Sequence, residues 1–172
     1  MNVSFLGALV FATAPLFFQA NPAGPGQGPS ELSGIQLQES SEEIRRLMGE
    51  PLLVADINSE FRAWQYRVGE IDHDEFSHSL IFRKATNTLV SVSRTFENPL
   101  QVERLMPPSQ STYYRYPESG PTEMVVRVRG LSGDRYLLAF GSGKPGDPAN
   151  QIVLIHRSAV RAFYPWLAGK LK

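Results

Sequence analysis

The stretch SSEEIRRLMGEP, residues 40–51, contains a full helix specification. Ser40 and Glu43 have the spacing of a capping box, in which a hydroxyl and a carboxylate serve backbone N–H groups left free at a helix start. Ile44, Leu47 and Met48 follow at the spacing of one apolar helix face. Gly49-Glu50-Pro51 ends the helix, because glycine accepts the C-terminal turn and proline cannot continue the hydrogen-bond ladder. Downstream the period changes. A short extended piece, LLVADI (52–57), leads into FRAWQYRV (61–68), where Trp64, Tyr66 and Val68 alternate with polar residues. SLIFRK (79–84) and TLVSVSRTF (88–96), joined by Ala85-Thr86-Asn87, read as a β-hairpin.

The same order recurs. Arg-Leu-Met stands at 46–48 and again at 104–106. Asn98 takes the cap position, Pro99 the first helical position and Gln101 the reciprocal capping position. Leu100, Val102, Leu105 and Met106 supply an apolar face, and Pro107-Pro108 stops the helix. STYYRYP (111–117) is the short extended piece, and MVVRVRG (124–130), RYLLAFG (135–141) and QIVLIHR (151–157) are the strands. The expectation is an α+β fold of two tandem helix-plus-antiparallel-sheet repeats, with the helices on one face of the sheet. The repeats span 34–97 and 98–172. The second ends in a closing segment, SAVRAFYPWLAGKLK, whose Val160, Phe163, Trp166 and Leu167 are set to cover apolar surface.

Of the 172 residues, 42% are hydrophobic and 20% charged, a globular composition. The 17 Lys and Arg balance 17 Asp and Glu, which argues against nucleic acid as a partner. With no cysteine there is no disulfide, thiolate metal site, cysteine nucleophile or lipoprotein acylation site. No ionisable side chain precedes Glu31, and Val3 to Ala20 is predominantly apolar. Residues 1–20 therefore read as a signal peptide or an N-terminal anchor that associates with a membrane. Residues 21–33, rich in Pro and Gly, read as a linker. The chain is expected to be exported to the periplasm or cell envelope.

The helix-stop-strand pattern resembles the BamE/SmpA-like family of small bacterial envelope proteins. Ser41, Ile44, Leu47, Gly49, Pro51, Trp64 and Tyr66 hold the matching positions. Tandem use of the unit is similar to the β-lactamase-inhibitor-protein architecture, in which helix-plus-sheet repeats present a sheet to a partner. The resemblance implies a non-enzymatic envelope protein that binds other proteins.

Strand alternation then assigns faces. Trp64, Tyr66, Leu80, Phe82, Val92, Val126, Val128, Leu138 and Phe140 share the parity expected beneath the helices. The opposite parity presents Arg67, Arg83, Arg127, Arg129 and Arg135, interleaved with Ile81, Val125 and Leu137. Arginine suits planar contacts with carboxylates, and Tyr114 and Tyr116 would add a rim. These seven residues form the expected site for an envelope protein or acidic ligand. The alternative is an inert structural protein with a merely solvated face. A third reading is a metal-dependent hydrolase centred on Asp72, His73, Asp74, Glu75 and His78, although their spacing matches no standard zinc arrangement. GSGKPG (141–146) fails the phosphate-loop pattern at Leu138 and Pro145. No catalytic residue, metal or cofactor is therefore assigned.

Overall fold

The computed structural model describes residues 31, 32, 34–71, 74–117, 124–142 and 147–171. A two-stranded ribbon comes first, β1 (Glu31–Leu32) with β2 (Ile35–Gln36), followed by helix α1 (Ser41–Met48). Eight strands then make one sheet: β3 (Leu53–Asp56), β4 (Phe61–Ile71), β5 (Asp74–Arg83), β6 (Thr88–Leu100), β7 (Thr112–Arg115), β8 (Met124–Leu131), β9 (Arg135–Ser142) and β10 (Ala149–His156). Their spatial order is β3-β4-β5-β6-β10-β9-β8-β7, with every neighbouring pair antiparallel. Two short helices, α2 (Arg157–Phe163) and α3 (Pro165–Ala168), follow β10.

Helix α1 begins as its residues dictate. The Glu43 N–H donates to Ser40 Oγ at 3.3 Å, and the Ser40 N–H donates to Glu43 Oε2 at 2.8 Å. That pairing holds the Glu43 carboxyl below its ordinary value. At the other end Gly49 sits at φ 81°, where a side chain would be strained, and its N–H donates to the Arg45 carbonyl. Tyr66 donates its phenol to the Gly49 carbonyl at 3.1 Å, tying the helix end to β4. Ser40→Ala is expected to cost about 1 kcal/mol, the usual worth of an N-cap. Urea denaturation checks this, and an unmoved midpoint would show that the cap contributes nothing.

The sheet is covered on both sides, by different parts of the chain. On one side Ile44 of α1, with Ile35, Leu37, Val102 and Met106, packs on Trp64, Tyr66, Leu80, Phe82, Val92, Leu137, Ile152 and Leu154. On the other, Ala159, Val160 and Leu167 of α2 and α3 pack on Val126, Val128, Leu138, Phe140, Val153 and Ile155. The central strand β10 is buried on both faces from Ile152 to Ile155.

This corrects the expected fold class. The chain is a mostly antiparallel single sheet with few helices, not two helix-plus-sheet repeats with helices on one face. Among the described residues the second half has no counterpart of α1. Residues 98–100, expected to start a helix, instead extend β6, and Leu100 pairs with Ala149. One α-helical turn follows, with Met106 N–H donating to the Val102 carbonyl at 2.8 Å, and then a short 3-10 turn at Pro108–Gln110. Pro107 and Pro108 carry no N–H, so the 102–106 turn does not continue as an α-helix. Val102 and Met106 are nevertheless fully buried, so one turn buries what the apolar spacing called for.

Candidate functional site

The expected arginine face does not form as one surface, because the two halves of the sheet send opposite parities to the same side. The row Tyr66, His78, Arg94, Ile152, Ala139, Arg127 and Tyr113 runs across the sheet on the side of α1. Arg127 and Arg129 thus lie under the 102–106 turn and are only 4% and 7% exposed. Arg127 donates to Glu103 Oε1 at 3.3 Å and to the Met106 carbonyl at 3.2 Å, and its guanidinium lies over the Tyr113 ring. Arg129 donates to the Leu105 carbonyl at 2.7 Å.

The other expected site residues are dispersed. Arg83 lies on the opposite side, paired with Glu60, stacked over Phe61 and bonded to Ser158 at the start of α2. Arg135 donates to the Ser132 carbonyl and closes the β8–β9 turn. Tyr114 and Tyr116 are half-buried against the C-terminal segment, where Lys170 lies over the Tyr114 ring and Trp166 meets Tyr116 edge-on. Arg67 pairs with Ser77 through the backbone, and its side chain lies outside the described residues. The acidic cluster is likewise only partly described. Asp72 and His73 lie outside the described residues, whereas residues 74–83 form β5 and bury His78 within the sheet. Among the described residues no group of three His, Cys, Asp or Glu could hold a metal ion.

Two other features stand out. The first is a cleft of about 400 Å³ between α1 and strands β4 and β5, lined by Ser41, Glu42, Arg45, Arg62, Trp64, Phe82, Lys84 and Asn87. Its charged groups and Asn87 are already engaged. Arg62 and Lys84 both bond to Asp56, and they hold its carboxyl down at about 2, Arg62 contributing first. Arg45 pairs with Glu50 and covers the Trp64 ring, and Asn87 donates to Glu42. The Trp64 indole N–H is buried without a hydrogen-bond partner, but with Arg45 stacked over its ring nothing shows that it faces a ligand.

The second feature is the free edge of β3. Six large apolar side chains are exposed among the described residues, and five of them fall between Leu47 and Ile57. Leu52 is 72% exposed, Leu53 52% and Val54 48%. Ile57 N–H donates to the opposite Phe61 carbonyl. Antiparallel alternation therefore leaves the N–H and C=O groups of Val54 and Asp56 pointing away from β4. Edge strands are normally blunted with lysine, proline or a bulge. Within β3 the only charge is Asp56, already bound inward by Arg62 and Lys84. The opposite edge, β7, is backed by the C-terminal segment through Tyr114 and has Arg115 at its end. One edge of the sheet is thus guarded and the other is open and greasy. Sequence reasoning read LLVADI only as a connecting piece; its signal was an apolar run without a gatekeeping charge.

No protein-family model matches the chain, and no curated protein matches it. Among solved structures it is similar to a cysteine-rich secretory protein from Staphylococcus aureus subsp. aureus Mu50, with a TM-score of 0.57 at 10% identity. The match covers 81% of this chain and 50% of that one, so this chain spans about half of that protein's length. At this identity the likeness concerns fold alone. It overturns the BamE-like and inhibitor-like assignment, and with it the tandem repeat: the shared architecture is a broad antiparallel sheet with few helices. No helix among the described residues is long and apolar enough to cross a membrane, and the apolar 1–20 segment lies outside them.

Proposed function

We propose that this protein is a non-enzymatic, exported protein-binding or assembly-accessory protein of the cell envelope, and that it binds by strand addition at the free edge of β3. One observation carries the reading: a sheet edge with unpaired backbone groups is flanked on both faces by exposed apolar side chains. Main-chain hydrogen bonds to such an edge give affinity, and side chains alternating above and below it give selectivity. Contiguous exposed apolar surface is costly to keep in water and marks interaction sites. The ligand that fits is an extended polypeptide strand with apolar residues at alternate positions, facing Leu53, Ala55 and Ile57. Export is supported by the uncharged apolar segment at residues 3–20, and the structural neighbour is itself described as secretory.

Val54→Pro tests this cleanly. The Val54 N–H points away from β4, so proline removes an outward donor without breaking the β3–β4 ladder. Peptides selected by display against the wild-type chain are expected to carry alternate apolar residues. Their binding should protect the Val54 and Asp56 amides from hydrogen exchange and weaken about tenfold or more in Val54→Pro, the cost of an unsatisfied buried acceptor. Binders that leave those amides unprotected, or bind Val54→Pro equally well, would place the working surface elsewhere. Failure to select any binder would favour the inert structural reading.

A further inference from the structure

We infer that the strand added to β3 is β3 of a second copy of this chain, in an antiparallel register centred on Ala55. The inference rests on the strand-addition reading and names its partner. The argument is one of self-complementarity, which a twofold interface requires of the surface that forms it. A twofold axis normal to the sheet through Ala55 places Val54 opposite the partner's Asp56, and Asp56 opposite the partner's Val54. Those are the two residues whose backbone groups point outward, so the free donors and acceptors of each edge meet those of the other.

The side chains agree with the backbone. On the face shared with Phe61, Ala63 and Gln65, Leu53 meets the partner's Ile57, Ala55 meets the partner's Ala55, and Ile57 meets the partner's Leu53. The result is a continuous apolar ladder, the kind of cross-strand pairing that stabilises a sheet. On the other face Asp56 meets the partner's Val54, with its charge already balanced by Arg62 and Lys84 of its own chain.

Neighbouring registers are worse. Centring on Asp56 sets two carboxylates face to face. Centring on Leu53 sets Asp56 against the partner's Glu50. Like charges directly opposite one another are destabilising. Centring on Val54 puts Asp56 against the partner's Leu52, whose N–H is already donated to the Gln65 carbonyl of its own chain. Ala55 is the one centre whose hydrogen-bonded pairs draw only on Val54 and Asp56, because the N–H groups of Leu52 and Asn58 are donated to β4, and it keeps Leu53, Ala55 and Ile57 on apolar partners.

The absence of cysteine makes a register-specific test simple. At the twofold, Ala55 and the partner's Ala55 form a non-hydrogen-bonded pair with Cα atoms about 4.5 Å apart, inside the range a disulfide spans. Leu53 and the partner's Leu53 lie four residue steps apart, roughly 13 Å, outside that range. Light scattering on the eluted full chain is expected to give a dimer. Mild oxidation should cross-link Ala55→Cys, while Leu53→Cys and Val54→Cys remain unlinked. Val54→Pro and Ala55→Lys should elute as folded monomers with unchanged circular dichroism. A cross-link at Leu53→Cys or Val54→Cys in place of Ala55→Cys overturns the register. A wild-type monomer that binds the selected peptides through Val54 overturns the dimer and leaves strand addition standing. A monomer that binds no such peptide overturns both.

Discussion

Arg127→Glu is expected to lower stability by about 3–5 kcal/mol, a large share of the stability of an ordinary domain. The wild-type guanidinium is nearly fully buried, with donors committed to Glu103 and to the Met106 carbonyl. Reversing the charge places a carboxylate beside Glu103 and leaves lone pairs facing the carbonyl. The new carboxylate cannot reach water without lifting the 102–106 turn, and that turn carries the fully buried Val102 and Met106. Arg127→Met keeps most of the volume and loses only the pairing, so it should cost about 1–3 kcal/mol. Glu103→Gln should cost less still, since Glu103 is 41% exposed and keeps its hydration. Urea denaturation orders the three. An Arg127→Glu chain within about 0.5 kcal/mol of wild type would behave as a solvated surface position and refute the burial argument.

Arg127 also shows where the sequence was legible and where it was not. The strands read at 61–68, 88–96, 124–130 and 135–141 follow from alternation and turn residues, and α1 follows from its capping box. Those signals are local. The face that each strand presents is settled by which strand pairs with which, and here β6 pairs with β10: Val92 opposes Leu154, and Ser93 opposes Val153. That pairing sets Leu80 and Val92 on one side and Val126, Val128 and Leu138 on the other, so one parity rule cannot serve both halves. Irregularities in register at 81–82 on β5 and 149–151 on β10 shift the count further. A clue was nevertheless present. LLAF (137–140) and IVLI (152–155) are unbroken apolar runs, the mark of strands covered on both faces rather than half-exposed. Taken seriously, they exclude an open arginine face on the second half. The Asn98–Met106 helix failed for a different reason, because Asn98 and Pro99 are as compatible with a strand's frayed end as with a helix start.

The edge of β3 bears on how the rest of the molecule is arranged. The C-terminal helices cover one face of the second half, and the 102–106 turn with α1 covers much of the other side. Both leave β3 bare. Its conspicuous charge, Asp56, is drawn inward by Arg62 of β4 and by Lys84 just after β5. A soluble protein with no use for this edge gains by placing a lysine there. The strand-addition proposal and its twofold form explain why none is present.

Between about pH 6.5 and pH 4 the folded state is expected to lose about 3 kcal/mol through His78 alone. His78 is 2% exposed on β5, opposite Tyr66 of β4 and Arg94 of β6. Burial is the larger cause and the Arg94 charge the second; together they depress its imidazole from the ordinary 6.5 to about 4. The folded value lies below the unfolded one, so the unfolded chain takes up the proton first as the solution is acidified. Stability is therefore fully present above pH 6.5, falls as the pH drops, and levels off below about pH 4 as far as this group is concerned. Asp56, held near 2, contributes its own loss only further into acid. Burial lowers Arg94 to about 10, so it remains charged across this whole interval and its repulsion of a protonated His78 is constant. His78→Gln keeps a polar side chain at the position and cannot be protonated there. Its stability should be flat where the wild type slopes, whatever its absolute value. Denaturant melts at a series of pH values separate the two curves. An equal slope in His78→Gln would assign the acid sensitivity to carboxylates and overturn the claim that a neutral imidazole is built into the sheet.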